Sequence, residues 1–359
     1  MKAGQFIASL ALASGFASAS RCLAGPKLKH WPADAAKQLN QLIAAKAKQD
    51  HYAVFDMDNT SYMNDIEESL LAYLENKGIL SRDSIDPSLK IKPFKDFTNS
   101  TFQYRESLFS YYNRLYDFDQ IAGYTFSAQV FAGIPLHRLK GHVDELMRLD
   151  GPIPATQFEN GVLVNTAVPP PKVFRGMVEL WNKLRANGID VYVMSASAEE
   201  LVRMIASDPV NYGYNLKPEN VIGVSLLMNN LTSGELTTSR KQITDGNYNQ
   251  TRNLGLVMTT SLWTPATWQF GKVAGIQTYI HPWKRPILVA GDTPKSDGPM
   301  LFHATDVERG GVRLWINRKK RSMTELKDMM RKNSAEQARL GLPVTAGLRW
   351  VFVKPEEIL

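Results

Sequence analysis

Hydrophobic positions follow a regular pattern in the second half of the chain. After Pro169-Pro170-Pro171, short apolar runs of strand length alternate with segments of helical periodicity. Strands are predicted near residues 190–194, 221–227, 286–290 and 311–316, and helices near 173–187 and 268–279, the first ending at Gly188. This alternation is typical of a doubly wound α/β fold, with a parallel sheet covered on both faces.

The first half has a different pattern. A helix over residues 33–50 leads into a buried strand at 52–56, and residues 62–124 read as helical and rich in aromatics. Asn160-Gly161 is compatible with a hairpin turn. We therefore predict an α/β core from residues 25–62 and 169–359, interrupted by a mainly helical cap at 63–168.

The N-terminal segment resembles an export signal. Lys2 precedes an apolar stretch at residues 6–16, followed by the small-residue cleavage pattern Ala17-Ser18-Ala19. We expect residues 1–24 to be a signal peptide and the mature protein to be periplasmic or secreted; the alternative is an ordinary N-terminal helix. Later apolar runs are too short to span a bilayer, so no stable membrane anchor is expected. Cys22 is the only cysteine, which excludes an intramolecular disulfide.

Composition narrows the choice of partner only slightly. The 359 residues are 44% hydrophobic and 21% charged, as in ordinary globular proteins, and the formal net charge is +7. That charge suits an anionic ligand, although solvated Lys and Arg surfaces are the commoner reason for such an excess. Without a nucleic-acid-binding motif, we expect no nucleic-acid partner. The oligomeric state stays open.

Two carboxylates follow the first predicted strand, in the string YAVFDMDNTS. Asp56 and Asp58 lie two residues apart, so in an extended segment both side chains point the same way. They lie at the carboxyl end of the strand, where open α/β sheets bind ligands. Their repulsion calls for a compensating charge, and Mg²⁺ is the simplest candidate. Loop aspartates without a ligand are the alternative.

Later segments repeat this arrangement. Ser195 follows the strand near 190–194, and Asp292 and Asp297 follow the strand near 286–290. Lys272 lies between Ser195 and Asp292 in the sequence, at the start of a predicted helix. Carboxylates at two strand ends, a hydroxyl at a third and an intervening lysine are more specific together than any one of them alone.

These motifs resemble the haloacid dehalogenase superfamily of phosphohydrolases. The resemblance implies a nucleophile at Asp56, a general acid and base at Asp58, phosphoryl ligands at Thr60, Ser195 and Lys272, and a Mg²⁺ site at Asp56, the Asp58 carbonyl, Asp292 and Asp297. An acid at Asp58 suits release of an alcohol and makes dehalogenation an unlikely reaction.

Longer strings, among them WTPATWQFGK and AGDTPKSDGPML, are similar to the members that hydrolyse phosphocholine. The expected substrate is therefore a small phosphomonoester, phosphocholine. A quaternary ammonium group is commonly held by aromatic faces and a carboxylate. In the cap this gives four candidates, Glu106, Tyr111, Tyr112 and Tyr116, with the core face of a helix as the alternative.

Three other features received plainer interpretations. Glu67 and Glu68 are expected on a helix surface, with contact to a cationic substrate as the alternative. Ser197 with Glu200 fits a helix capping box, and residues 317–322 are expected in an exposed loop, with an anion site as the alternative. The function predicted overall is Mg²⁺-dependent phosphomonoester hydrolysis through an aspartyl-phosphate. A phosphatase of broader range, a phosphotransferase and a non-catalytic choline-binding protein are the alternatives.

Overall fold

A computed structural model describes residues 23–98, 103–263 and 266–359. The predicted signal sequence, apart from residues 23 and 24, lies outside this range, as does Cys22. Within these three stretches, no helix combines the length and apolar character needed to cross a membrane.

The described chain contains both helices and strands, in the following order. Up to residue 168 the elements are α1 (Ala33–Lys46), β1 (His51–Phe55), β2 (Tyr62–Met63), α2 (Ile66–Asn76), β3 (Phe97–Thr98), β4 (Gln103–Tyr104), α3 (Leu108–Phe118), α4 (Gln120–Gln129), α5 (Leu136–Met147), β5 (Ile153–Glu159) and β6 (Val162–Val168). The remainder contains β7 (Lys172–Val173), α6 (Arg175–Ala186), β8 (Ile189–Ala198), α7 (Glu199–Ala206), β9 (Val221–Val224), β10 (Leu226–Asn229), β11 (Leu236–Thr237), α8 (Ser239–Thr244), α9 (Gln250–Asn253), β12 (Val257–Leu262), α10 (Phe270–Tyr279), β13 (Leu288–Gly291), α11 (Pro294–His303), β14 (Val312–Ile316), α12 (Lys320–Arg339) and β15 (Trp350–Val353).

A six-stranded sheet forms the centre of the molecule. Its order is β15-β14-β13-β1-β8-β9, and every neighbouring pair is parallel. Alternate residues of β1 enter two different cores: Ala53 and Phe55 pack into one, and Val54 into the other. A strand buried on both faces reads as a continuous apolar run, as the sequence does here. The predicted α/β class with a doubly wound parallel sheet is confirmed.

The segment between β2 and β7 contains helices α2 to α5 and one long hairpin. In that hairpin β5 and β6 pair antiparallel along their full length, and the turn residues Asn160 and Gly161 both have positive φ, 50° and 83°. An Asn-Gly pair accepts this left-handed geometry at little cost, which explains the tight turn. The region is therefore less purely helical than the sequence predicted.

A second, three-stranded sheet is formed by β11, β10 and β12. Its strand β12 bonds to the connection between α4 and α5, where the amides of Gly133 and Leu136 donate to the carbonyls of Met258 and Leu256, each at 2.9 Å. The small sheet thus packs against the helical segment, although it lies in the part of the sequence expected to belong to the core. The predicted domain boundaries stay a prediction.

Two strand boundaries differ from expectation in a way that affects the site. The run predicted at 221–227 is split into β9 and β10 at Ser225. Strand β8 continues to Ala198, so Ser195 and Ser197 both belong to it and helix α7 begins only at Glu199. The C-terminal segment supplies α12 and the edge strand β15, a role the sequence left open.

Candidate active site

The loop after β1 places Asp56 at the carboxyl edge of the sheet. The Asp56 amide donates to the Ala290 carbonyl of β13 at 3.0 Å, which continues the strand pairing by one residue. The chain then turns tightly: the Met57 carbonyl accepts from the amide of Thr60 at 3.2 Å, and Asn59 has a left-handed φ of 58°. This turn brings the Thr60 hydroxyl back to within 3.0 Å of Asp56 Oδ2.

Three buried carboxylates meet at this point. One oxygen from each of Asp56, Asp292 and Asp297 lies within 4.8 Å of the others. Lys272, the third residue of α10, is completely buried and places Nζ 2.5 Å from Asp56 Oδ1 and 2.6 Å from Asp297 Oδ1. The sequence-predicted residues Asp56, Thr60, Lys272, Asp292 and Asp297 are thus brought together.

Asp297 holds the β13 loop in place. Its Oδ2 accepts from the amides of Asp292 and Thr293, both at 2.9 Å. This close packing requires glycine at position 291, because a Cβ there would lie 2.5 Å from the Cβ of Asp297. Because Oδ1 is bonded to Lys272, both Asp297 oxygens have partners within the chain. Asp297 therefore stabilises the loop that carries Asp292.

The donor set fits a hard divalent cation. Carboxylate oxygens are the ligands that Mg²⁺ prefers, and Asp56, Asp292 and Asp297 all line the cavity. Because both Asp297 oxygens are bonded to Lys272 and to the β13 loop, Asp56 and Asp292 are the better candidates to hold the ion. Burial, followed by repulsion from Asp297, raises the pKa of Asp56 well above its ordinary range, even though Lys272 opposes the shift. An additional positive charge would relieve this strain on the ionised form.

Asp58 lies in a separate environment. Its Oδ1 accepts from the Tyr62 hydroxyl at 2.6 Å and from the Ile66 amide at 2.8 Å, and its Oδ2 accepts from the Ser197 hydroxyl at 2.7 Å. Burial raises the pKa of Asp58, while these hydrogen bonds act in the opposite direction. Asp56 and Asp58 therefore have different partners. Asp56 bonds to Lys272 within the acidic cluster, whereas Asp58 accepts hydrogen bonds from neutral donors.

Ser195 and Ser197, near the end of β8, lie in different surroundings. Ser195 is fully buried, its Oγ accepts from the Ser197 amide at 3.1 Å, and its carbonyl accepts from Thr267 at 2.6 Å. Ser197 lines the cavity and contacts Asp58. The predicted capping box is wrong: α7 begins after Ala198 without a side-chain cap, and Glu200 pairs with Arg203, because the strand extends through Ser197.

A cavity of about 490 Å³ opens above the carboxylates. Its sheet side presents Asp56, Asp58, Asp292 and Asp297. Its helical side is both aromatic and acidic, with Asp65, Glu67, Glu68, Tyr112, Tyr116, Asp117 and Tyr124. The sheet side, with Lys272 beside its carboxylates, suits an anionic group of a ligand. The aromatic and acidic helical side suits a cationic group of the same ligand.

The aromatic side is a connected series of rings. Tyr112 lies 6.3 Å from Tyr116, Tyr116 meets Tyr124 edge-on at 5.6 Å, and Tyr124 stacks on Trp268 at 6.2 Å between ring centroids. The Tyr112 hydroxyl donates to Glu68 Oε1 at 3.1 Å. Tyr124 and Trp268 were not among the predicted cap contacts, since nothing local in the sequence joins them.

Only two of the four predicted choline contacts reach this cavity. Tyr112 and Tyr116 line it, whereas Tyr111 is buried in the core and donates to the Lys92 carbonyl at 3.0 Å. Glu106 is buried in an ion pair with Arg114, with 2.6 Å between Oε1 and Nε. Glu106 and Tyr111 are therefore structural residues. Successive helical residues point about 100° apart, so neighbouring tyrosines separate.

Glu67 and Glu68 are not the surface glutamates that the sequence suggested. Glu67 Oε1 accepts from the Ala198 amide at 2.7 Å and Oε2 from the Ser127 hydroxyl at 2.6 Å. Burial raises the pKa of Glu67 to about 8. This side chain thus connects α2 to both α4 and the end of β8, beside the serine that contacts Asp58.

The segment at 317–322, expected to be an exposed loop, also contributes to the cavity. Arg318 and Lys319 line it, and Arg318 Nε donates to Asp292 Oδ2. The reason is topological: β14 is the neighbour of β13, so the loop leaving its carboxyl end lies beside Asp292.

Strand ends of a parallel sheet supply two aspartate pairs, and the start of helix α10 supplies a buried lysine. This arrangement defines a phosphohydrolase-type site of the haloacid dehalogenase superfamily. A solved structure of a functionally unknown protein from Anaerococcus prevotii shares the fold, with a TM-score of 0.57 and 21% identity over 91% of this chain and 96% of that one. No family model matches the chain.

A curated relative gives the particular family. The chain is 57% identical over 352 residues to the phosphorylcholine phosphatase of Pseudomonas aeruginosa, and the alignment covers 98% of both chains. The chain belongs to the phosphorylcholine phosphatase family.

Proposed function

We propose that this protein hydrolyses phosphocholine to choline and inorganic phosphate. The observation that carries the proposal is the single cavity that joins the Asp56–Lys272 centre to an aromatic and acidic side. Lys272 beside Asp56 at one end, and aromatic rings with carboxyl groups at the other, suit the phosphate and the trimethylammonium group of a small zwitterionic ester. The near-complete alignment with a phosphorylcholine phosphatase supports the same substrate.

The substrate's two charged groups have separate partners. The phosphate is proposed to lie against Lys272 and Thr60, and Ser195, the other predicted phosphoryl ligand, stays a prediction. The trimethylammonium group is proposed to lie among Tyr112, Tyr116 and Tyr124, with Glu68 close by. Each aromatic contact with such a cation contributes about 0.5–2 kcal/mol.

Hydrolysis proceeds in two steps. The ionised carboxylate of Asp56 attacks phosphorus, the bond from phosphorus to the choline oxygen breaks, and Asp58 gives its proton to the departing alkoxide. Asp58 then takes a proton from the water that attacks the aspartyl-phosphate, which releases inorganic phosphate and restores Asp56. The raised pKa of Asp58 supports its role as an acid near neutral pH.

Asp56 and Asp292, together with the Asp58 carbonyl, would hold the Mg²⁺ ion, and Asp297 would orient the loop that carries Asp292. When bound, the ion supplies positive charge that offsets the repulsion between nucleophile and phosphate. Lys272 provides a fixed positive charge that is bonded to Asp56 Oδ1.

Phosphate release from four esters tests the proposal. Phosphocholine, phosphoethanolamine, glycerol phosphate and p-nitrophenyl phosphate are compared with Mg²⁺ or EDTA, beside Asp56→Asn. We expect metal-dependent release, led by phosphocholine and abolished in the variant. Equal turnover of all four esters would instead indicate a phosphatase of broad range. Phosphoryl transfer to added alcohols would indicate a phosphotransferase, and binding without release a choline-binding protein.

We also propose that the protein is exported by its N-terminal segment. Lys2, the apolar residues 6–16 and the small residues at 17–19 support this. Fractionation of the expressing cells, with N-terminal sequencing of the mature protein, tests it; retention of an intact N-terminus in the cytoplasmic fraction would contradict it.

A further inference from the structure

Arg318 is a charged residue at the centre that the hydrolytic mechanism above does not use. It follows β14, lines the same cavity as Asp56, and has a side chain that is 25% exposed. Its Nε donates to Asp292 Oδ2, and its Nη2 lies 3.5 Å from the Thr293 hydroxyl. The guanidinium therefore reaches one of the two carboxylates assigned to the cation.

The hydrogen bonds of the three carboxylates show where this contact matters. Lys272 is bonded to Asp56 and Asp297, and the Thr60 hydroxyl lies between Asp56 Oδ2 and Asp292 Oδ1, at 3.0 and 3.3 Å. Asp292 Oδ2 has the Thr293 hydroxyl, at 3.1 Å, and Arg318. Arg318 is thus the cation that neutralises Asp292, as Lys272 neutralises the other two carboxylates.

We propose that Arg318 acts as an internal counter-cation that competes with the divalent metal for Asp292. This inference rests on the proposed Mg²⁺ site. Without a bound metal, the Arg318 guanidinium would neutralise Asp292 through the contact with Oδ2. A bound metal would weaken that contact, because two positive charges on one carboxylate repel each other.

A second acidic patch is available to receive the displaced side chain. Asp65 and Glu68 are two carboxyl groups that line the same cavity as Arg318. The guanidinium can therefore leave Asp292 and still find acidic partners in the same cavity. Arg318 is therefore a competitor of the metal, and its effect is to lower metal affinity while it stabilises the acidic cluster when no metal is bound.

Calorimetric titration of EDTA-stripped protein with MgCl₂ tests the proposal. Removing a competing charge a few ångströms from the ion should tighten binding, so we expect the Kd of Arg318→Met to fall about tenfold. The Tm of the same variant in EDTA should fall below that of the wild type. Lys319→Met is the matched control, since it removes one positive charge from the same cavity; its Kd should change less than about threefold.

Arg318→Lys provides a second variant if the first does not fold. It keeps the charge but loses the planar donor that reaches Asp292, and its Kd should lie between those of wild type and Arg318→Met. A Kd in Arg318→Met that is unchanged or weaker would overturn the inference, as would an equal change in Lys319→Met. Absence of Mg²⁺ binding by the wild type would contradict the proposed metal site itself.

Discussion

Replacement of Lys272 by methionine is expected to destabilise the protein strongly when no metal is bound. The ammonium is completely buried between Asp56 and Asp297, at 2.5 and 2.6 Å. Removing one partner of a buried ion pair typically costs about 3–5 kcal/mol, because the remaining charge loses its counterion. Here two carboxylates lose their cation at once, so we expect a loss near the upper end of that range.

The effect is measured as the change in the free energy of unfolding by urea, in EDTA and again with Mg²⁺. Saturating metal should restore part of the loss, since a ligand at 100 times its Kd adds about 2.7 kcal/mol and the variant has more uncompensated charge to gain from it. Phosphocholine turnover should fall at least 100-fold in both conditions.

Lys183→Met is the matched control for this experiment. Lys183 is also buried, but its Nζ donates to the carbonyl of Pro26 at 3.0 Å, so its loss removes one hydrogen bond from a charged group, worth about 1.5–3 kcal/mol. If Lys272→Met in EDTA were no less stable than Lys183→Met, the view of Lys272 as the counterion of the acidic cluster would be wrong.

Three further predictions concern the rest of the cavity. Burial raises the pKa of Glu67 from 4.5 to about 8, so the folded state retains a proton that the unfolded chain releases, and stability should fall as pH rises from about 4.5 to 8; thermal unfolding of Glu67→Gln should show a flatter pH dependence, and an identical slope would contradict this. Ser197→Ala removes the hydrogen bond to Asp58 that lowers the pKa of that carboxyl. We expect kcat to fall about tenfold and the alkaline limb of the pH–kcat profile to move to higher pH. An unchanged pH profile would contradict this prediction. Tyr116→Leu removes one aromatic face, so kcat/KM for phosphocholine should fall about 2- to 30-fold while that for p-nitrophenyl phosphate changes little. An equal loss for both esters would show that the ring does not select the cation.

The residues of the acidic cluster are predictable from sequence because each follows an apolar strand. In a parallel sheet, the carboxyl ends of neighbouring strands meet at one edge, so Asp56 and Asp292 are brought together by the strand order alone. Lys272 was recognisable from its place in the motif, at the start of a helix. The sheet class follows from the same alternation of strands and helices.

The cap contacts could not be found in the same way. Tyr111 and Tyr112 are adjacent in sequence, yet one packs into the core and the other lines the cavity, because the phase of α3 relative to its neighbours decides the direction of each ring. Tyr124 and Arg318 reach the site through the packing of α4 and the order of β13 and β14. Neither leaves a local pattern in the sequence.

One missed residue did leave a signal. Ser197 lies two positions after Ser195, and residues two apart on an extended strand share a face. The capping interpretation of Ser197 assumed that the strand ended at Met194. Continuing the alternation to Ala198 would have placed its hydroxyl at the same edge as Asp58.

The central position of β1 has a consequence for biogenesis. This early strand pairs on one side with β8, beginning at Ile189, and on the other with β13, beginning at Leu288. A nascent chain cannot bury it until both distant partners have been synthesised, and such non-local pairing is slow to form. The sheet topology thus delays completion of the central sheet until most of the polypeptide has been synthesised.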